Sequence, residues 1–237
     1  VVVFHQHAGE FHWGKSEVAG LVGSPLQAFG PALARRGLLV LAPDAETFED
    51  RRAQTQGIEP HDKDWQQHYN GMGYRLIHGD LIMRKHLDDA QRAVSALLTH
   101  PRVALGQVGI CGHSFGGTVS LYLGAVDERC RFVCSSGAAA SFARKQASGT
   151  GIGMIELIPG IASRFETADV VAAIPPRNLL LVSAIDDEYA ADADQVVAQA
   201  GLTGVVEQLR TNGGHELDRV RFEAIVDWVA ARAAAAP

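Results

Sequence analysis

The chain has 237 residues, 47% of them hydrophobic and 20% charged, and a formal net charge of −6. That length suits one α/β domain with a sizeable core, and the balance is that of a globular chain rather than a disordered one. The acidic balance, with basic runs no longer than pairs such as Arg35-Arg36 and Arg51-Arg52, argues against nucleic acid or an anionic membrane surface as partner, and no run of about 18 apolar residues suggests a membrane span.

Short apolar runs alternate with helical patterns along the chain. Val1–Phe4 reads as a buried strand by its β-branched and aromatic content. Ser24–Arg36 has helical spacing of Leu26, Phe29 and Leu33 and closes at Gly37. Leu38–Ala42 reads as a second strand, stopped by Pro43-Asp44. From 45 to 79 the periodicity breaks down, and the segment is expected to be a long excursion with one or two short helices. Asp80–Leu98 is an amphipathic helix carrying Leu81, Ile82, Leu87, Ala90, Val94, Leu97 and Leu98 on one side. Val108–Cys111 is a strand, with a helix following to about Val126, and Phe132–Ser135 is another strand. The stretch 141–173 is irregular and glycine-rich, a second excursion. Then come a strand at Leu179–Ser183, a helix at Ala191–Ala200, a strand at Val205–Leu209 and a closing helix at Arg219–Ala236.

Apolar rather than alternating strands, separated by helices, predict a single α/β domain over 1–237. Its mostly parallel sheet should have at least six strands, with helices on both faces. Crossovers of one hand place the C-terminal ends of the strands, and any site, on one edge. The excursions at 45–79 and 141–173 are expected to roof that site, with Trp13, Trp65, Tyr69 and Met72 as candidates for its lining.

Gly112-His113-Ser114-Phe115-Gly116 has the G-x-S-x-G form, between a strand and a helix without a spacer. A strand turning straight into a helix lifts its serine to an exposed, strained tip, and small flanking residues let the two arms pass closely. Ser114 is therefore the candidate nucleophile, and the Phe115 N–H a candidate oxyanion donor at a helix N-terminus. A serine hydroxyl needs a positioned base. Among ten histidines, His215 follows the last strand within Asn212-Gly213-Gly214-His215-Glu216, on the same predicted edge as Ser114. His113 is expected to pack against the sheet or cap a neighbouring loop, and His61, His68, His78, His86 and His100 to lie on the surface. The carboxylate that orients the base should follow the penultimate strand. There Asp187 is favoured because Tyr189, two residues on, suits an inward position, and Asp186 remains an alternative. The backbone N–H of His7, in the loop after the first strand, is the second oxyanion candidate.

These features resemble the α/β-hydrolase superfamily, in particular its dienelactone-hydrolase-like and acetyl-xylan-esterase-like bacterial branch. The likeness is carried by Val3-Phe4-His5-Gln6, Gly14-Lys15-Ser16-Glu17, Val40-Leu41-Ala42-Pro43-Asp44, Phe48-Glu49-Asp50-Arg51-Arg52, Gly112-His113-Ser114-Phe115-Gly116-Gly117, Asp127-Glu128-Arg129 and Gly214-His215. It implies a serine esterase acting on a small-molecule ester, with the chain order Ser…Asp…His and no cofactor. Dienelactone hydrolases use cysteine where this chain has Ser114, which argues against that reaction. The superfamily also opens with two antiparallel strands ahead of the one at Val1–Phe4. Without them Leu38–Ala42 would be a bare edge, which an N-terminal segment or a second copy in a homo-oligomer is expected to cover.

Two other readings stand beside the esterase. His5, His7 and His12 are the beginning of a metal-ligand pattern, for a metal-dependent hydrolase. A non-catalytic binding protein could share the fold. Gly149-Thr150-Gly151-Ile152-Gly153 has no strand before it and is a poor phosphate loop. Glu49, Arg51 and Arg52 are expected to form a structural ion pair rather than a substrate site. Cys111, Cys130 and Cys134 do not suggest a disulfide framework, so a reducing, cytoplasmic setting is slightly favoured, though the N-terminus is uninformative about localisation.

Overall fold

In the computed structural model, residues 1–104 and 107–235 are described. The elements in chain order are β1 (Val2–Phe4), α1 (Lys15–Val18), α2 (Phe29–Ala34), α3 (Asp64–Ile77), α4 (Ile82–Leu98), β2 (Gly109–His113), α5 (Phe115–Val126), β3 (Phe132–Ser136), α6 (Phe142–Ser148), α7 (Thr167–Ala172), β4 (Asn178–Ala184), α8 (Ala193–Gln199), β5 (Glu207–Thr211) and α9 (Arg219–Ala234). The last position of the predicted closing helix, Ala236, lies outside the described residues.

The five strands are all parallel and stand side by side in sequence order, β1 to β5. Alternation within each strand divides the apolar side chains between two cores. Val2, Phe4, Ile110, Val133, Leu179 and Leu181 face a core shared with α4, α5, α7 and α8. Val1, Val3, Cys111, Phe132, Cys134, Leu180 and Val182 face the other, closed by α2 and α9. Burial on both faces is why β1 to β4 carry few polar residues, whereas β5, at the edge of the sheet, is mostly polar and has no fully buried residue. The three cysteines are free and buried, and burial pushes the thiols of Cys111 and Cys130 up to about 12, so they act as small apolar groups.

The expected sixth strand is not formed. Of Leu38–Ala42, only Leu41 makes a bridge, to Val2, with Val3 N–H donating to Leu41 O and Leu41 N–H to Val1 O. Pro43 limits the run on one side, and β1 itself offers only three residues to pair with. The predicted helix at Ser24–Arg36 is likewise divided into a 3-10 turn at Pro25–Gln27 and the short α2. Pro31 has no N–H to return to Gln27 O, so a helix can begin here but not run through. The first excursion holds more order than expected, because α3 alone spans 14 residues. β5 lies two residues later than expected, and Val205 is exposed in the turn before it. None of the described helices is long and apolar enough to cross a membrane.

Candidate active site

The turn between β2 and α5 brings its serine to the C-terminal edge of the sheet. Ser114 has φ 56° and ψ −122°, a left-handed backbone that an L-residue adopts only under constraint. Close packing supplies that constraint. A Cβ added at Gly112 would lie 2.5 Å from Gly116 backbone atoms, and one at Gly116 would lie 2.1 Å from Phe4 O. The second contact presses the elbow onto the end of β1, so the loop that follows β1 runs beside Ser114. The Ser114 N–H donates to Ser136 O at 2.8 Å, which ties the turn to β3. As the residue preceding α5, Ser114 leaves the first-turn N–H groups, that of Phe115 among them, without partners inside the helix.

His215 lies on the loop after β5. Its Nε2 is 2.8 Å from Ser114 Oγ and its Nδ1 is 2.9 Å from Asp187 Oδ1. Asp187 is fully buried on the loop after β4, and Tyr189 N–H donates to its Oδ1 at 3.0 Å. Burial alone would raise the Asp187 carboxyl, but the hydrogen bond and charge of His215, with the Tyr189 N–H, hold it below its ordinary value. Its Oδ2 is buried without a hydrogen-bond partner among the described residues. The competing Asp186 is exposed and donates its backbone N–H to Gly213 O at 3.0 Å, joining the two loops without reaching the histidine. The His215 ring is packed between those of His113 and Tyr189, with centroids 4.9 and 4.7 Å away. His113 points into the sheet with its Nδ1 3.0 Å from Ser136 Oγ, and burial beside His215 pushes it down to about 3.

One residue that pattern reading missed holds the His215 loop in place. Arg221, in the first turn of α9, is 2% exposed and donates to Gly214 O and Glu216 O on either side of His215, while its Nε donates to Asp218. The spacing Asp218-x-x-Arg221 at the head of the closing helix was the available signal. Periodicity cannot say that such an arginine turns inward.

Ser114, Phe115, His7 and His215 line one cavity of about 400 Å³. The loop after β1 is tightly folded there: Ala8 has φ 47°, Gly9 N–H donates to His7 Nδ1 at 3.0 Å, and Glu10 N–H donates to His7 O at 3.0 Å. The first excursion and the head of α4 contribute Trp65, His68, Met72, Ile82 and His86 to the wall, and the second contributes Lys145, Ile155 and Glu156. Neither Trp13 nor Tyr69 belongs to it, although Tyr69 stacks on Trp65 at 5.4 Å between ring centroids.

Two of the histidines expected on the surface are buried at this wall, His68 at 5% and His86 at 4% exposure. Their helices turn them toward Phe11, Phe48 and Phe115, an aromatic cluster that local patterning could not reveal. Burial pushes both down to about 3 and His7 to about 4, so all three are neutral near pH 7. The metal reading built on His5, His7 and His12 is not supported by the geometry. His5 Nδ1 stands 2.7 Å from Gln6 O and its Nε2 accepts from Ala45 N–H, while His12 faces Glu10. Among the described residues, ligand atoms gather within 4.8 Å of one another only at Asp44, Glu49 and Asp50, and the Lys15 ammonium binds all three carboxylates. Glu49 also accepts from the Gly14 and Ser16 N–H groups, and Arg52 pairs with buried Asp64. The charges of this segment therefore brace the loop.

The model of the family described as BAAT / acyl-CoA thioester hydrolase C terminal matches residues 86–169, which include the elbow. The Bacillus subtilis protein YtaP, assigned as a hydrolase, is 25% identical over 239 residues, covering 95% of this chain and 76% of its own. Among solved structures, the methylesterase BT1017 superposes with a TM-score of 0.68 at 17% identity over 97% of this chain and 48% of its own. Acetyl xylan esterase 1 from Thermoanaerobacterium sp. JW/SL YS485 gives 0.60 at 14% identity, over 98% and 74%. The chain spans only 58% to 65% of the length of three other solved hydrolases it matches. These likenesses show the α/β-hydrolase fold, as the motif resemblance implied.

Proposed function

We propose that this protein is a serine hydrolase that cleaves carboxylic esters through an acyl-enzyme. The observation that carries this reading is the 2.8 Å contact between Ser114 Oγ and His215 Nε2, with Asp187 on the other ring nitrogen. Asp187 fixes the tautomer in which Nδ1 carries the proton, leaving Nε2 free to accept one from the serine. As that proton moves, Oγ attacks the ester carbonyl, and the N–H groups of Phe115 and His7 are the proposed donors to the resulting oxyanion. Collapse breaks the ester C–O bond, and the alcohol leaves with the proton from His215. Water then repeats the attack on the acyl-serine and returns the acid and free Ser114. The scheme requires no cofactor.

The names of the neighbours, an acetyl xylan esterase and a methylesterase, support ester hydrolysis, and the thioester hydrolase family match supports a second reading, a thioester substrate. Among the described residues Lys145 is the single lysine or arginine on the cavity wall, and it is already paired with Glu156, so none of them offers a free cation there for the phosphates of a coenzyme A ester. The simple ester is therefore favoured. Intact mass after fluorophosphonate treatment should show one adduct on the wild type and none on Ser114→Ala. Turnover of p-nitrophenyl acetate should fall roughly 10⁴-fold or more in that variant and be indifferent to chelator. Turnover that survives in Ser114→Ala rejects the serine mechanism. Faster turnover of acetyl-CoA than of p-nitrophenyl acetate would select the thioester.

A further inference from the structure

The second excursion carries an ion pair that the proposed acyl transfer does not use. Lys145 on α6 is 2% exposed and Glu156 in the 3-10 turn Met154–Glu156 is 8% exposed, yet both line the cavity that holds Ser114. Lys145 Nζ donates to both Glu156 oxygens at 2.8 Å and lies 5.8 Å from the Phe142 ring centroid. A buried pair of this kind gives little net stability over an apolar pair of the same volume, so its presence on a largely apolar wall calls for another account.

Hydrogen-bonding capacity provides it. An ammonium has three N–H donors and a carboxylate about four acceptor positions. Two of the donors are used within the pair, and no third acceptor for Nζ is found among the described residues. One donor and carboxylate lone pairs thus remain without a partner among the described residues, on two side chains that line the cavity. The backbone keeps the approach open. Gly151, Ile152 and Gly153 line the cavity beside the pair, and a Cβ added at Gly153 would stand 3.9 Å from Glu156 Oε2. The glycine-rich stretch that makes a poor phosphate loop is here a thin wall over an ion pair.

We propose that Lys145 and Glu156 form a specificity element that selects esters bearing a neutral hydroxyl on the group seated in the cavity. This inference rests on the serine-hydrolase reading and deepens it. A hydroxyl both donates and accepts, so it can donate a hydrogen bond to Glu156 and accept one from Lys145 without leaving either ion unpaired. A substrate carboxylate only accepts and would meet the charge of Glu156. An ammonium only donates and would meet that of Lys145. The pair is neutral as a unit and rejects both charged alternatives, whereas a lone lysine would select an anion.

The test compares kcat/KM for two ester pairs, each differing only in hydroxylation. One pair is 2,3-dihydroxypropyl acetate and propyl acetate; the other is ethyl 3-hydroxybutanoate and ethyl butanoate. In Lys145→Met/Glu156→Leu the hydroxylated member of at least one pair should lose about tenfold or more relative to its plain partner, mainly through KM. An equal loss for both members of each pair, or none, would make the ion pair structural and overturn the proposal. If the double variant fails to fold by circular dichroism, Gly153→Val keeps the pair and fills the space before it, and must produce the same selective loss. Fluorophosphonate labelling of wild type is run alongside. Failure to label would sink the serine reading and this inference with it, whereas intact labelling with unchanged ratios sinks this inference alone.

Discussion

The sheet edge and the roof above it are held by different forces. At the edge, Ser114, Asp187 and His215 are placed mainly by backbone: a strained φ at the elbow, glycines too close to neighbouring carbonyls to carry a side chain, and N–H groups of one loop bonded to the carbonyl of the next. The roof is held by side-chain charge. The Arg52 guanidinium donates to both Asp64 oxygens and to the carbonyls of Glu49, Gly57 and Glu59, gathering the first excursion around one buried cation. Lys15, half-exposed rather than buried, draws Asp44, Glu49 and Asp50 together. The lesson is a division of labour. Changes at the edge should act on chemistry with little effect on folding, and changes in the roof on folding or selectivity with little effect on the chemical step.

The sharpest way to break that division is at the carboxylate. Asp187→Asn should lower kcat about 10⁴-fold, because an amide in its place stabilises neither the required tautomer nor the imidazolium, while the urea midpoint moves little. Next in size, Arg52→Leu leaves Asp64 buried without its cation and should destabilise the fold by about 3–5 kcal/mol, read by urea unfolding, with kcat of the surviving folded protein near that of wild type. A large loss of kcat at unchanged stability would contradict the comparison. Arg221 lies between the two regimes, since its charge acts through the carbonyls beside His215. Arg221→Met should cut kcat on the order of 10²-fold by misplacing the imidazole, and its pH profile should broaden or shift, which a purely structural loss would not cause.

A smaller effect concerns pH. His7, His68 and His86 are held neutral in the fold, near 4, 3 and 3, by burial first and by neighbouring histidines second. Their folded values lie below the ordinary 6.5, so the unfolded chain binds more protons in this window. Stability is therefore complete above about pH 6.5 and declines as pH falls toward 4 and 3. Replacing one of them, as in His86→Leu, should flatten the fall of the urea midpoint between pH 6 and 4 by about one proton. The least change is expected at Asp186→Asn, where kcat should stay within roughly twofold because this exposed side chain is not the partner of His215. A large loss there would exchange the roles of the two aspartates.

Much of this molecule is determined by short-range sequence. Strand and helix periods, the strand–turn–helix setting of Ser114, and the positions of Asp187 and His215 after the last two strands all follow from local backbone rules. Those rules act over a few residues and survive whatever packs around them. Tertiary structure decided the rest. Leu38–Ala42 has the composition of a strand, but a three-residue neighbour and Pro43 leave it one bridge. His68 and His86 have the polarity of surface residues, yet their helices turn them into an aromatic cluster built from Phe11, Phe48 and Phe115. Arg221 looks like one more charge on a closing helix until its carbonyl partners are in place. Lys145 and Glu156, eleven residues apart in a stretch without period, meet only because α6 and the turn at Met154–Glu156 fold over the same cavity. Burial and pairing across such distances depend on which surfaces meet, and no local pattern encodes that.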